Sequence, residues 1–190
     1  MAHKFHHEHA HKLDKPERQK WQNIEDFIKI LEPFENMVFV DIGVGTGYFA
    51  IPVAKRFPNV KIIGADIQPE MLDILKEKVK KEKLDNIEPV LSEENKVPIE
   101  DKIADRVLVA NVFHGLHHPQ NFLKEVKRIL KDGGKLIVID WKPIETEEGP
   151  PLHERLEPEA VAKELEKAEF KDINIDNETY PYHYIITARI

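Results

Sequence analysis

The stretch Val40-Asp41-Ile42-Gly43-Val44-Gly45-Thr46-Gly47-Tyr48-Phe49 decides the fold. It sets three alternating glycines between a short apolar run, residues 37–40, and a helical pattern carried by Phe49, Val53 and Ala54. A ligand at the carboxyl end of a strand approaches the main chain closely, and glycine leaves room where a Cβ would collide. Glycine also permits the positive φ of a sharp strand-to-helix turn, and the helix beyond it is expected to offer unpaired N–H groups. The spacing narrows the ligand. A phosphate loop ends in Gly-Lys-Ser/Thr, which has no counterpart here. A dinucleotide loop puts its third glycine at position 48, which is Tyr48, whereas the third glycine here is Gly47. The spacing therefore speaks against a nicotinamide oxidoreductase.

Outward from this loop, strand and helix patterns alternate. Apolar runs at residues 60–65, 87–91, 104–110 and 135–139 read as strands, the one at 87–91 interrupted by Pro89. Helices are expected after Pro69 (Met71, Leu72, Leu75, Val79), from Pro119 to Gly133 (Phe122, Leu123, Val126, Ile129, Leu130) and after Pro158 (Val161, Leu165, Ala168). Before the loop, Asp14 with Glu17 three residues on reads as a capping box for one helix through Trp21, Ile24, Phe27, Ile28 and Leu31. Two last strands, 170–175 and 182–188, have no helix between them and should form an antiparallel hairpin. The expectation is an α/β Rossmann-like three-layer sandwich: a seven-stranded, mostly parallel sheet with one antiparallel strand at or near an edge. Residues 1–190 read as a single domain, with the arm and first helix of residues 1–33 as a lid.

With 28 Lys and Arg against 35 Asp and Glu, the formal charge is −7. That argues against a large nucleic-acid surface, which needs clustered cations. No apolar run approaches a membrane span, and the start is polar and His-rich rather than a secretory signal. There is no cysteine, hence neither disulfide nor thiolate chemistry. A cytoplasmic location is the default expectation.

Asp66 ends the second strand nineteen positions after Gly47, where a carboxylate can accept both hydroxyls of a ribose or cap the helix that starts near Pro69. From Val40 to Phe49 the sequence resembles the first motif of class I S-adenosylmethionine-dependent methyltransferases. The likeness runs from Met37 to Asp140. His114-Gly115-Leu116-His117-His118-Pro119 and Arg128-Ile129-Leu130-Lys131-Asp132-Gly133-Gly134 resemble the broad subgroup that includes quinone-biosynthesis C-methyltransferases. The resemblance implies S-adenosyl-L-methionine as cofactor. It would lie against Gly43, Gly45 and Gly47, with Asp41 orienting its amino group and Asp66 on its ribose. Ile67 would pack on the adenine, and Ser92 or Glu93 would meet the adenine amino group. Asn111 follows the fourth strand, at the methyl-transfer end.

Methyl transfer from a sulfonium needs a base only when the acceptor carries a proton. His114, His117 and His118 stand near the methyl end, and His114, following the strand most closely, is the candidate base. Trp141, His153 and Arg155, on the Pro-rich connection after the fifth strand, are candidates for acceptor contact. His3, His6, His7, His9 and His11 read as a mobile arm or lid, and no metal site is assigned to them. A small-molecule acceptor is the leading expectation, because the chain has no separate substrate domain. The alternatives are a protein or RNA methyltransferase of the same fold, or a non-catalytic module that binds the cofactor. Against the protein or RNA alternative stands the run Asn111-Val112-Phe113-His114, which lacks the Asn/Asp-Pro-Pro-aromatic sequence typical of amino-group methylation of bases and glutamines.

Overall fold

The computed structural model describes residues 13–190. The five histidines of the N-terminal arm lie outside the described residues.

Seven strands form one sheet in the order β3-β2-β1-β4-β5-β7-β6. They are β1 (Val38–Ile42), β2 (Lys61–Asp66), β3 (Ile87–Leu91), β4 (Ala104–Ala110), β5 (Leu130–Trp141), β6 (Lys171–Asp176) and β7 (His183–Arg189). β7 runs antiparallel to both neighbours and all other pairs are parallel. The reversed strand is thus next to the edge, as expected of a closing hairpin. Pro89 is accommodated because β3 is an edge strand, where a missing N–H breaks no inner ladder.

Alternate side chains on the central strands feed two cores. Val40, Ile63, Val107, Val138 and Ile186 pack with Phe122, Leu123 and Val126 of α4 (Pro119–Ile129) and with Val161 and Leu165 of α5 (Pro158–Lys167). Phe39, Ile62, Leu108, Ile137 and Ile185 pack with α1 (Ile24–Leu31), α2 (Ala50–Arg56) and α3 (Pro69–Glu82). Covering both faces is what a parallel sheet requires, and it gives the expected Rossmann-like sandwich. Among the described residues no helix is long and apolar enough to cross a membrane.

Two expectations need correction. The first helix is split: a 3₁₀ turn spans Pro16–Lys20, and α1 starts only at Ile24. Asn23 caps α1, its side chain accepting from the N–H groups of Glu25 and Asp26. Among the described residues Asp14 caps no helix; it accepts from the Thr46 hydroxyl at 2.8 Å and pairs with Lys78. The helix from Pro119 ends at Ile129 rather than Gly133, because Leu130 is already extended and pairs with Ala104 of β4.

Candidate active site

The strand order reverses between β1 and β4, and in open α/β sheets ligands bind at the carboxyl ends beside such a point. A cavity of about 420 Å³ opens there, in the size range of small-molecule sites. Its walls include Asp41, Gly43, Gly45, Asp66, Ile67, Ser92, Glu93, Asn111 and His114, so all but one of the residues expected to hold the cofactor meet in one place with the candidate base. Gly47 is not among the lining residues.

The glycines differ in what they make room for. A Cβ on Gly43 would stand 2.3 Å from Val112 Cγ2, and one on Gly47 would stand 2.7 Å from Leu75 Cδ1. Only at Gly45 is the nearest neighbour, Leu13 of the N-terminal arm, at an ordinary 3.6 Å. All three have positive φ, at 79°, 53° and 86° in chain order. The N–H groups of the loop itself are engaged within the fold. Those of Gly43 and Val44 donate to the Ala65 carbonyl, that of Gly47 to the Val44 carbonyl, and that of Gly45 to Asp66 Oδ2 at 2.9 Å. The loop is a self-bonded platform, and α2 begins only beyond it.

Asp66 is both cap and wall. Its Oδ1 accepts from Gln68 N at 2.9 Å, which braces the residue ahead of α3, while Oδ2 holds Gly45. Burial raises its carboxyl above the ordinary value, opposed by these backbone donors. Each oxygen keeps a lone pair for a further donor such as a sugar hydroxyl. Asp41, 2% exposed, is pushed up to about 7, first by burial and then by Asp66, with Arg18 pulling the other way.

At the ends of β4 and β5 the chemistry changes. His114 Nδ1 lies 2.7 Å from Asp140 Oδ1, and the His114 backbone N–H donates to Asp140 Oδ2 at 3.0 Å. Trp141 N–H also donates to Oδ1, so the carboxylate is held at three points. Burial lowers the His114 pKa, but the hydrogen bond and charge of Asp140, with help from Glu154, outweigh it and the net shift is upward. With Nδ1 engaged, Nε2 is the ring nitrogen left for a ligand in the cavity. His117 is exposed and faces Glu94, and His118 is exposed at the start of α4; neither lines the cavity.

Above this end, residues 142–155 form a roof. Arg155 does not line the cavity; its guanidinium gathers the roof instead, donating to the carbonyls of Pro150, Lys142, Ile144 and Glu148 and to the Thr146 hydroxyl. Gly149 lies flat on the Trp141 ring, which does line the cavity, while His153 points to solvent. The arm closes the remaining side through Leu13, Lys15, Arg18, Trp21 and Gln22. Lys15 bridges to Glu148 of the roof at 2.9 Å, and the Tyr48 hydroxyl donates to the Gln22 carbonyl at 2.6 Å. Sequence reasoning missed Asp140, Arg18 and Gln22. Asp140, a carboxylate ending the fifth strand, carried the one signal that could have been read.

A sequence profile of the family described as methyltransferase domain matches residues 40–138. The chain belongs to the class I S-adenosylmethionine-dependent methyltransferases. An S-adenosylmethionine-dependent methyltransferase from Aquifex aeolicus superposes with a TM-score of 0.90 at 35% identity, covering 98% of this chain and 100% of that one. Demethylmenaquinone methyltransferase of Porphyromonas gingivalis is 34% identical over 118 residues, 60% of this chain and 47% of its own. A tRNA(Phe) (4-demethylwyosine(37)-C(7)) aminocarboxypropyltransferase of Methanocaldococcus jannaschii is 36% identical over 100 residues, 53% of this chain and 38% of its own. The methyltransferase chain spans less than half the length of these two curated relatives. Its residues fit the family's cofactor. The open lone pairs of Asp66 suit a vicinal diol, and Asp41 presents a buried carboxyl to a cation. Gly45 bares main chain between them.

Proposed function

We propose that this chain transfers a methyl group from S-adenosylmethionine to a small, protic acceptor held between His114 and Trp141. The observation that carries the reading is the His114–Asp140 pair, 2.7 Å apart, in the wall of the cavity that also contains Asp66. β2 and β5 are three strand spacings apart, about 14 Å. A ligand gripped at Asp66 can thus extend along the strand ends toward His114. When bound, the cofactor supplies an electrophilic methyl group whose departure leaves a neutral thioether.

The chain's own residues do the rest. Asp66 binds the ribose, Ile67 flanks the adenine, Ser92 or Glu93 meets its amino group, and Asn111 lines the methyl end. His114 Nε2 takes the acceptor's proton as the new bond forms. Asp140 fixes the ring's tautomer and stabilises the imidazolium. The roof and the arm of residues 13–33 act as a lid that excludes water and limits the acceptor's size. A small molecule is supported further by the demethylmenaquinone methyltransferase among the relatives.

Calorimetry with adenosylmethionine, adenosylhomocysteine and NAD, followed by a screen for adenosylhomocysteine release with small molecules, proteins and RNA, tests the proposal. Binding of the adenosyl compounds and turnover on a small molecule are expected. Binding of NAD alone, or turnover only on a macromolecule, overturns it.

A further inference from the structure

Trp141 is the last residue of β5 and lines the cavity together with His114. One carboxylate oxygen holds both: Asp140 Oδ1 accepts from the Trp141 backbone N–H at 2.8 Å and lies 2.7 Å from His114 Nδ1. The indole is gripped on its two faces. A Cβ on Gly149 would stand 2.8–2.9 Å from three carbons of its six-membered ring, so the roof backbone lies flat on one face. The ring of His183, the residue opposite Trp141 on β7, is centred 4.1 Å from the indole. Two groups that close cannot share a face, so His183 backs the other. Trp141 thus has no free face on which a flat acceptor could stack. It turns an edge to the cavity.

That edge carries a donor. The indole N–H makes no hydrogen bond among the described residues, yet it is not sealed within the core. Trp141 keeps only 8% of its surface exposed and lines the cavity, so its N–H opens there. A buried tryptophan N–H ordinarily finds an acceptor. Packing between Gly149 and His183 needs only an aromatic ring, which leaves the N–H for a ligand. His114 Nε2 is the second ring nitrogen open on this side, and the two differ in kind. Neutral Nε2 takes a proton, whereas an indole N–H can only donate. Nearby cations are engaged elsewhere, Arg155 with the roof carbonyls and Lys15 with Glu148. An acceptor that satisfies both rings gives a proton to one and a lone pair to the other. An amine without oxygen fails that test. A hydroxyl or acidic C–H beside a carbonyl oxygen passes it.

We propose that the Trp141 indole N–H is the hydrogen-bond donor to the acceptor's oxygen, and that the acceptor is an enolisable carbonyl compound. This rests on the methyl-transfer reading given above and names the acceptor class within it. As His114 Nε2 takes the proton, the electron pair of the broken bond spreads onto the carbonyl oxygen, where the indole N–H meets the growing charge. The enolate's pair then forms the bond to the methyl carbon, and the pair of the old bond stays on the thioether sulfur.

A stable mimic of the deprotonated acceptor tests this: 1,3-cyclohexanedione, an enolate near neutral pH, against cyclohexylamine, which has the same ring and no oxygen. Each is titrated into protein saturated with adenosylhomocysteine, and nitrogen-15 NMR follows the His114 ring and the two tryptophan indoles, told apart with Trp21→Phe. The dione is expected to move the Trp141 N–H downfield together with the His114 signals, and the amine to move neither. Trp141→Phe should weaken dione binding by about tenfold or more, the scale of one hydrogen bond to a charged group, and leave adenosylhomocysteine within about threefold. A dione that moves His114 but not Trp141, or that binds Trp141→Phe as tightly as the native protein, overturns the donor role and leaves the His114 reading standing. A dione that moves neither ring, or an amine that binds equally well, overturns the acceptor class. Should Trp141→Phe fail to fold, the native indole shift still decides. Failure of adenosylhomocysteine itself to bind overturns the cofactor reading instead.

Discussion

Under Asp41, Asp66 and Ser92 the cavity wall is main chain and short-range contact, whereas around His114, Trp141 and Gly149 it is assembled from residues far apart in the chain. On the first side, Asp66 holds Gly45, 21 positions away, and Ser92 N–H donates to the Asp66 carbonyl. On the second, Gln22 meets Asn111 across 89 positions and Lys15 meets Glu148 across 133. The first side rests directly on paired strands, which makes it stiff and tied to one ligand. The second rests on loops gathered by Arg155, the kind of structure that varies without disturbing the sheet. One side is thus suited to a shared cofactor and the other to a particular acceptor.

The largest expected effect falls on the acceptor side. His114→Ala should lower turnover by about a hundredfold or more, the usual contribution of a positioned base. Adenosylhomocysteine affinity should stay within about threefold, because Asp66 and the glycine loop are untouched. The net upward shift of His114 means that its basic form fills only above the ordinary 6.5. Turnover should therefore rise with pH through a value above 6.5. Asp140→Asn removes both the hydrogen bond and the charge that raise His114, so the rising limb should move to lower pH while the plateau falls. A limb that stays in place, or full turnover in His114→Ala, means that the pair is structural.

The next effect breaks the cofactor side from within. Alanine at Gly43 meets Val112 Cγ2 at 2.3 Å with φ at 79°, and should destabilise the protein by about 3 kcal/mol. At Gly45 only the backbone conformation resists, so alanine there should cost about 1 kcal/mol. For a chain of this size the two should differ in Tm by roughly 4–8 °C. Val112→Ala should recover part of the loss in Gly43→Ala and none in Gly45→Ala. Equal melting temperatures for the two glycine variants would remove the distinction between a packing glycine and a ligand-facing one.

The same contrast governs what was legible in the sequence. Strand runs, the helices opened by Pro69, Pro119 and Pro158, and the closing hairpin were readable because each is a local pattern. So were Asp41, Asp66 and Asn111, which stand at strand ends. Gly43 was readable as a glycine, but not for its reason, since Val112 crowds it from across the switch point. The split of the first helix was missed because two caps competed. Asn23 holds two N–H groups beside it, whereas Asp14 is drawn away to Thr46 and Lys78. Arg18 looks like an ordinary surface cation in the sequence, and Arg155 reads there as an acceptor contact rather than as the tie that gathers the roof. Their partners are a tyrosine face, an amide and carbonyl oxygens, none of which has a charge pattern to read.

The smallest effect separates Asp41 from its neighbours. The ordinary aspartate value is 3.8, and in the fold the group is pushed up to about 7. Between those limits the folded protein keeps a proton that the unfolded chain has lost, so Asp41 makes stability fall as pH rises from about 4 to 7. Above pH 7 the folded protein carries a buried carboxylate, and the loss is complete. Asp41→Asn abolishes the titration while keeping the shape. Without ligand, the variant should melt about 3 °C above the native protein at pH 8, corresponding to roughly 1 kcal/mol, and the gap should close toward pH 5. Adenosylhomocysteine should reverse the order, since its ammonium matches the carboxylate and has no charge to meet in the variant. A gap that does not change with pH would show that the folded and unfolded chains hold equal numbers of protons over that range, so that Asp41 is already ionised in the fold at pH 5 and burial does not raise it.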